Sequence, residues 1–455
     1  MAVSIISPPI FASTRKRRKN NAILFAFFSL LFTAFGCPES DPGSPPDTLH
    51  RGLPPIQIGT SGDYPPFSHW PETDSQPSGF SADVARAYAA SQDRGIEWVP
   101  FRWPDLRDRL QRGDFDLALS GITVRADRSV SGRFSIPLTT SGAIVLVDRR
   151  SPVQTPDDLL RPGLSLAVNA GGHLERVARG LLEQAQIEAV DQNGDVLARL
   201  GQGGVEAIMT DTLEAPIWQA KRPGLRAIGP LTRDRKAAWF PVGQELAARH
   251  FDDWLLQAER SGLLAELRSA HGLPEVETAR PGAALLASLD ERLSLMISVA
   301  RTKRILGLEV EDLAREAQVL DAAAKGVEIA AKRSGSRAPD EEAIRRLYRG
   351  QIEAAKWIQQ NWLDAMGSEG IDSTSTARSN ARSDLDDRLR PALIFLGDRI
   401  ATLVVLAAND DSVACQPEAV SDALSRHGLP SKHLRALSQA LCSAAIPATP
   451  PQGAG

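Results

Sequence analysis

The stretch His271-Gly-Leu-Pro-Glu-Val-Glu-Thr-Ala-Arg-Pro281 divides this 455-residue chain into two parts that differ in hydrophobic periodicity. Before it, short runs rich in Val, Ile and Leu alternate with helical patterns and glycine-rich turns, which is typical of α/β domains. After it, the strand patterns end and long helical patterns follow. Pro274 and Pro281 terminate helices on either side. The sequence therefore predicts an α/β domain joined to an all-α domain, each long enough to bury a core.

The composition excludes a nucleic-acid partner, because the net charge is −4 and no basic patch carries interleaved aromatic residues. The one dense basic cluster, Arg15 to Lys19, stands directly before the apolar run Ala22 to Gly36. A positive flank followed by a short apolar core is typical of a secretory signal, so we expect residues 1–36 to direct export to the periplasm.

The segment after this signal leaves two alternatives open. Gly36-Cys37 resembles a bacterial lipoprotein cleavage site, so Cys37 is a candidate for lipid attachment and membrane anchoring. Simple cleavage to a soluble periplasmic protein is the alternative. Residues 37–53 are rich in Pro, Ser and Asp and are predicted to be a flexible tether, and residues 447–455 a disordered tail.

Residues 54–273 alternate predicted strands with predicted helices, which indicates parallel sheets with ligand-binding loops at the carboxyl ends of their strands. The predicted strands are Ile56–Gly59, Glu97–Phe101, Asp116–Leu119, Ala143–Val147, Leu164–Val168 and Glu206–Thr210. The predicted helices are Phe80–Gln92, Trp103–Arg112, Gly172–Gln186 and Val196–Gly201.

Several motifs of this region occur in a characteristic order. They are Gly62-Asp-Tyr-Pro-Pro-Phe67, Gly79-Phe-Ser-Ala-Asp-Val84, Phe115-Asp-Leu-Ala-Leu-Ser-Gly-Ile-Thr123, Arg128 and Phe134-Ser-Ile-Pro137. Together they resemble the periplasmic solute-binding proteins for amino acids. The resemblance implies two α/β lobes that close on a small carboxylated ligand. Ser120 and Thr123 would then offer donors, and Arg128 would clamp a carboxylate.

Within that family, four motifs resemble cyclohexadienyl dehydratase, which aromatises prephenate or arogenate. They are Trp103-Pro104, Leu119-Ser-Gly-Ile-Thr123, Asn169-Ala-Gly-Gly172 and Met209-Thr-Asp-Thr-Leu-Glu-Ala215. The reaction expels a hydroxyl and carbon dioxide together and needs a general acid. The resemblance implies Glu214 as that acid.

The same resemblance assigns the remaining substrate contacts of this domain. Trp103 would line the ring-binding wall, with Tyr64 and Gly172 in the neighbouring loops, and Asp211 would hold an α-ammonium unless it is a structural N-cap. The chain departs from the family pattern at His173-Leu174, where the family has Thr-Asn, and at Pro65, where it has Lys.

The helical part carries cations on its apolar stripes. Lys303 lies 11 residues after Arg292, so in a continuous helix both point the same way to within about 20°. Leu285, Leu289 and Leu293 mark this face as buried, and a buried cation requires an anion to meet it.

The spacing of these residues resembles the all-helical chorismate mutases over residues 283–446, and their exported subclass in particular. The motifs that carry it are Glu291-Arg-Leu293, Lys303, Asp312-Leu-Ala-Arg-Glu316, Gln351 to Gln359, and Asp386-Asp-Arg-Leu389. The resemblance implies that Arg292, Arg315 and Arg388 bind the substrate carboxylates, with Asp312 beside them in the motif. Lys303 and Gln359 would bind the ether oxygen, and Glu316 the substrate hydroxyl. Ala355 stands where the family often has Ser or Thr.

Cys415 and Cys442 bracket the last helical segment, and an exported protein would oxidise such a pair to a disulfide. The sequence offers no metal-ligand cluster, nucleophilic triad or phosphate loop, so no metal and no cofactor is expected.

We therefore expect a bifunctional exported enzyme that converts chorismate to prephenate and then prephenate or arogenate to phenylpyruvate or phenylalanine. The alternative is a chorismate mutase fused to a binding domain without catalytic activity.

Overall fold

A computed structural model describes residues 53–201, 204–367, 374–410 and 415–445. The predicted signal, Cys37, nearly all of the tether and the tail lie outside these residues.

The α/β domain contains thirteen strands among the described residues. They are β1 (Ile56–Thr60), β2 (Asp63–Tyr64), β3 (Ser68–His69), β4 (Ile96–Pro100), β5 (Leu117–Thr123), β6 (Arg133–Phe134), β7 (Thr139–Ser141), β8 (Ala143–Asp148), β9 (Ser165–Asn169), β10 (Gln186–Val190), β11 (Ala207–Asp211), β12 (Leu225–Ile228) and β13 (Asp234–Phe240). Its helices are α1 (Phe80–Ser91), α2 (Leu106–Arg112), α3 (Ala126–Ser129), α4 (His173–Leu181), α5 (Ala215–Lys221), α6 (Glu245–Arg260) and α7 (Leu263–Ala270).

These strands form two lobes. The first lobe has the strand order β4-β1-β5-β13-β6, with β7 also paired to β13, and the second has the order β10-β9-β11-β8-β12. The chain leaves the first lobe after β7 and returns at β13. The two crossing segments touch at Gly142, where an added Cβ would lie 2.4 Å from the carbonyl oxygen of Thr232. This contact restricts the position to glycine.

The predicted parallel pairing holds for β1 with β4 and β5 and for β9 with β10 and β11, but both sheets are mixed. β8 runs antiparallel to β11 and β12, and β13 runs antiparallel to β5, because both strands adjoin the crossings between the lobes. β13 was not predicted. β10 was not predicted either, and the helix predicted to reach Gln186 ends at Leu181.

The second part of the chain is helical, as predicted. Its helices are α8 (Pro281–Ser294), α9 (Met296–Leu306), α10 (Leu313–Ser334), α11 (Glu341–Met366), α12 (Ser375–Ser383), α13 (Arg390–Ala408), α14 (Pro417–Ala423) and α15 (Ser431–Ala444), with a π-helical segment at Asp384–Leu389. The predicted continuous helix around Arg292 is divided at Leu295. Pro391 lies in the first turn of α13, where a missing N–H is tolerated.

The α12–α13 run, residues 375–408, is the one described stretch that is helical, long and apolar enough to cross a membrane. Of its most apolar window, 61% is buried inside the protein, as in a core helix.

The two domains share one contiguous core of buried apolar side chains, which extends from β1 and α1 through α6 into α8, α11 and α13. Arg399 lies at this boundary and is 6% exposed. Its guanidinium binds Asp252 at 2.9 Å, Glu291 at 3.4 Å and the carbonyl oxygen of Phe134. Burying Asp252 raises the pKa of its carboxyl to about 6, although Arg399 opposes the shift.

Candidate active sites

A cavity of about 40 Å³ lies between the two lobes. Its wall includes five of the predicted residues: Tyr64, Trp103, Thr123, Arg128 and Gly172. Of the two departures from the family pattern, His173-Leu174 lines the cavity and Pro65 does not. Gly121, Asn169, Asn193 and Lys236 complete the wall. This volume holds only a few water molecules, so the cleft is closed.

Arg128 is a buried cation in this cleft, with 4% exposure. Its Nη1 donates to the carbonyl oxygen of Thr123 at 3.2 Å, and its guanidinium lies 5.9 Å from the Trp239 ring centre. No described acidic residue forms an ion pair with it. Burial holds the pKa of Arg128 well below its usual value. A buried guanidinium without a carboxylate partner favours the binding of an anionic ligand.

Glu214 lies directly before α5 and is 1% exposed. Thr210 Oγ1 donates to its Oε2 at 2.6 Å, and Asn193 Nδ2 donates to its Oε1 at 2.7 Å. Burial raises the pKa of Glu214 to about 8, so the carboxyl is mostly protonated at pH 7. Asn193 stands between this carboxyl and the cavity, so Glu214 is one hydrogen bond removed from the wall.

Asp211 does not face the cavity. Its Oδ1 accepts from the backbone N–H groups of Leu213 and Glu214 and so holds the turn before α5. This is a structural role, although the N-cap of α5 is Glu214 and not Asp211. Its Oδ2 accepts from the Tyr64 hydroxyl and lies 3.0 Å from the ammonium of Lys236.

Lys236 is a cleft residue that the sequence reasoning missed. It is 3% exposed, and its Nζ donates to Tyr64 Oη and Thr123 Oγ1, each at 3.0 Å. The missed strand β13 places it, because Lys236 pairs with Thr123 across the sheet. The apolar run Ala237 to Phe240 ending at Pro241 was the available signal for this strand.

Ser120 was expected to contact the ligand, and the structure does not bring it to the cavity. β5 extends through Thr123, so Ser120 lies within the strand and not in a loop. Its Oγ accepts from the backbone N–H of Ser61 at 3.1 Å and lies 2.9 Å from the Ser61 hydroxyl. The next residue, Gly121, has φ 67°, and an added Cβ would lie 2.6 Å from the Phe67 ring.

His173 connects the two lobes at the edge of the cleft. Its Nε2 lies 2.9 Å from Asp234 Oδ2, which belongs to the first lobe. Burial lowers the pKa of His173, whereas Asp234 opposes that shift. The departure at this position therefore adds a contact between the closed lobes.

A second, larger cavity of about 810 Å³ lies inside the helical domain. Six predicted residues line it: Arg292, Lys303, Asp312, Arg315, Glu316 and Gln359. They come from α8, α9, α10 and α11 of one chain. Ala355, the departure from the family pattern, is also on its wall.

The cations of this cavity differ in their partners. Arg292 has no ion pair to a described acidic residue, and burial lowers its pKa. Lys303 Nζ donates to the carbonyl oxygens of Glu309 at 3.0 Å and Val310 at 2.9 Å. Arg315 Nη1 donates to Gln318 at 3.1 Å. None of these contacts neutralises the positive charge, so the cavity suits a carboxylated ligand.

The polar groups opposite these cations are held in place by their own helices. Asp312 is the N-cap of α10 and accepts from the Arg315 N–H at 2.9 Å. Gln359 is 5% exposed, its Nε2 donates to the Ala355 carbonyl oxygen at 3.2 Å, and its Oε1 has no described partner. Glu316 lies 3.5 Å from the ammonium of Lys356. Lys356 lines the cavity too and was missed.

Arg388 is not part of this cavity, which corrects the prediction. It pairs with Asp384 at 2.7 Å, and its Nη2 donates to Ser131 of the α/β domain at 3.3 Å. Arg390 lines the cavity instead. Positions two apart on a helix point to nearly opposite sides, so only one of Arg388 and Arg390 can face the cavity. The spacing of Arg390, Leu393, Gly397 and Ala401, all cavity residues, was the missed signal.

The predicted disulfide between Cys415 and Cys442 is present, with Cα atoms 4.8 Å apart. It ties the segment before α14 to α15.

Comparison with known proteins supports both halves. Residues 56–274 match the bacterial extracellular solute-binding proteins of family 3, and residues 282–360 match chorismate mutase type II. The cyclohexadienyl dehydratase of Pseudomonas aeruginosa is 34% identical over 223 residues, covering 48% of this chain and 82% of that protein. The L-cystine-binding protein TcyJ of Escherichia coli (strain K12) is 24% identical over 216 residues, 47% of this chain and 80% of that protein.

Among solved structures, the ancestral amino acid-binding protein AncCDT-1, a precursor of cyclohexadienyl dehydratase, is 28% identical. The match covers 48% of this chain and 94% of that one, with a TM-score of 0.45. The chain therefore belongs, through residues 56–274, to the bacterial extracellular solute-binding proteins of family 3, and it carries a chorismate mutase type II domain fused behind them.

Proposed function

We propose that the chain catalyses two consecutive reactions: chorismate to prephenate in the helical cavity, then prephenate to phenylpyruvate, or arogenate to phenylalanine, in the cleft. The domains would span residues 54–273 and 283–446. Phenylalanine biosynthesis is the pathway in which these two steps follow each other.

The first reaction is an intramolecular rearrangement in which one C–O bond breaks while one C–C bond forms. The protein must therefore hold the reactive conformer and stabilise the negative charge that grows on the ether oxygen. Arg292, Arg315 and Arg390 would bind the two carboxylates. Lys303 would donate to the ether oxygen. Gln359 would donate to it as well, after its terminal amide rotates by 180° so that Nε2 takes the place of Oε1. Glu316 would accept from the substrate hydroxyl.

The charge pattern of the cavity carries this half of the proposal. Chorismate is a dianion, and the cavity holds a half-buried guanidinium, Arg292, without an ion pair to a described acidic residue. Binding a carboxylate there would pair a charge that folding has partly removed from water.

In the second reaction the substrate would displace the Asn193 amide from Glu214, and the protonated Glu214 would then donate its proton to the leaving hydroxyl, which departs as water. The electrons of the breaking bond to the ring carboxylate would move into the ring as carbon dioxide leaves, so the ring becomes aromatic. Arg128 and Lys236 would hold the side-chain carboxylate, with Trp103 along the ring. The protonated state of Glu214 carries this half, because an ionised carboxylate cannot supply the proton.

The test is chorismate added to the intact protein, with chorismate loss and phenylpyruvate formation followed together. We expect both signals in the wild type. Glu214→Gln should lose phenylpyruvate formation and retain chorismate loss, whereas Lys303→Ala should lose chorismate consumption and still convert supplied prephenate. Prephenate left intact by the wild type at every pH would refute the dehydratase and favour a cleft that only binds its ligand.

Family 3 proteins are extracellular, which agrees with export of this chain to the periplasm. We further propose that Cys37 carries a lipid anchor. Mass spectrometry of the mature N-terminus checks this, since simple signal cleavage would leave an unmodified Cys37.

A further inference from the structure

Helix α8 lies between the two sites and contributes three consecutive charged residues. Asp290 and Glu291 are 2% and 5% exposed and face the α/β domain. The next residue, Arg292, lines the mutase cavity. One turn of one helix thus contacts both halves of the enzyme.

The contacts on the α/β side lead to the two cleft cations. Ser129 Oγ donates to Glu291 Oε1 at 2.8 Å, and Ser129 directly follows Arg128. Arg235 pairs with Asp290 and directly precedes Lys236. The residue next to each cleft cation in the sequence is therefore held by a hydrogen bond or an ion pair to α8.

These contacts matter most for Arg128, because the turn that carries it has little support of its own, whereas Lys236 lies in β13, which is already paired with β5 and β7. α3 contains only Ala126–Ser129, a single turn, and so short a helix is held by its tertiary contacts. The Glu291 carboxylate is in turn fixed by Arg399, whose Nη1 lies 3.4 Å from Glu291 Oε2. Asp290 is fixed by His427, with Nε2 at 2.8 Å, and by Arg426 at 2.6 Å. Both acceptors are thus rigid parts of the helical domain.

We propose that Asp290 and Glu291, although they belong to the helical domain, are positioning residues of the cleft that hold Arg128 and Lys236 where the substrate carboxylate binds. This inference rests on the proposed dehydratase function. It makes the second reaction dependent on the domain that performs the first.

Ser129→Ala and Arg235→Met remove the cleft side of the two contacts without altering a residue that touches substrate. We expect each to raise the KM for prephenate about tenfold, equivalent to about 1.4 kcal/mol, with kcat little changed. The KM and kcat for chorismate should stay at wild-type values and report that the chain is folded. Ser129→Thr keeps the hydroxyl and should restore the wild-type KM.

The matched control is Ser91→Ala, which removes a hydroxyl that donates to its own helix, to the Tyr88 carbonyl oxygen at 2.7 Å. It should change neither reaction. An unchanged KM for prephenate in both Ser129→Ala and Arg235→Met would overturn the positioning role, as would equal losses in both reactions, which indicate general destabilisation. A wild type that forms no phenylpyruvate would instead refute the proposed function itself.

Discussion

The titration of Glu214 offers the sharpest test of the cleft. The carboxyl is 1% exposed, and burial raises its pKa from 4.5 to about 8. Thr210 and Asn193 donate hydrogen bonds that oppose this shift, whereas the negative charge of Asp211 adds to it. Dehydration should therefore proceed at neutral pH and decline as the pH rises through about 8.

The magnitude follows from the protonated fraction. A carboxyl with a pKa of 4.5 is about 0.3% protonated at pH 7, whereas one with a pKa of about 8 is about 90% protonated. Burial thus increases the available acid about 300-fold. Since the folded pKa exceeds the unfolded one, the same group contributes stability below about pH 4.5, and this contribution is lost as the pH rises through about 8.

The assay is kcat/KM for prephenate between pH 5 and 10, with the mutase reaction of the same protein as the control for folding. Thr210→Val removes a hydrogen bond that lowers the pKa of Glu214, so its declining limb should move to higher pH. A limb near pH 4.5, or a limb that persists in Glu214→Gln, would show that Glu214 is not the acid.

Three further predictions concern the helical domain. Arg390→Met should raise the KM for chorismate about tenfold, whereas Arg388→Met should change it less than about twofold. A larger effect of Arg388→Met than of Arg390→Met would show that Arg388 binds the substrate, as the sequence predicted. Arg399→Met leaves the buried carboxylates of Asp252 and Glu291 without their guanidinium partner and should lower the free energy of unfolding in urea by about 3–5 kcal/mol. Arg349→Met, which breaks the exposed ion pair with Glu342, is the control, and equal effects of the two substitutions would contradict this account. Cys442→Ser opens a disulfide with a sequence separation of 27 and should lower the same free energy by about 3.5 kcal/mol, and no loss would indicate that it does not constrain the unfolded chain.

Sequence reasoning succeeded where a pattern is local. The 11-residue spacing of Arg292 and Lys303 placed both at one cavity although the helix divides at Leu295, because the break is in near-helical backbone. It failed where a residue's direction depends on a distant partner. The cleft position of Lys236 depends on the pairing of β13 with β5, and Arg388 faces Ser131 of the other domain while Arg390 faces the cavity.

Among the described residues, the hydrogen bonds across the domain boundary reach the first lobe or the segment that leads into β13. Arg399 binds Phe134 and Asp252 of the first lobe, and Arg233, directly before β13, donates to the Asp422 carbonyl oxygen. We therefore expect the helical domain and the first lobe to move as one body and the second lobe to move relative to it. Admission and release of ligand at the cleft would then be a swing of β8–β12 about the crossings at Gly142 and Thr232. Such a swing would leave the mutase cavity undisturbed, so the two reactions could proceed at independent rates within one molecule.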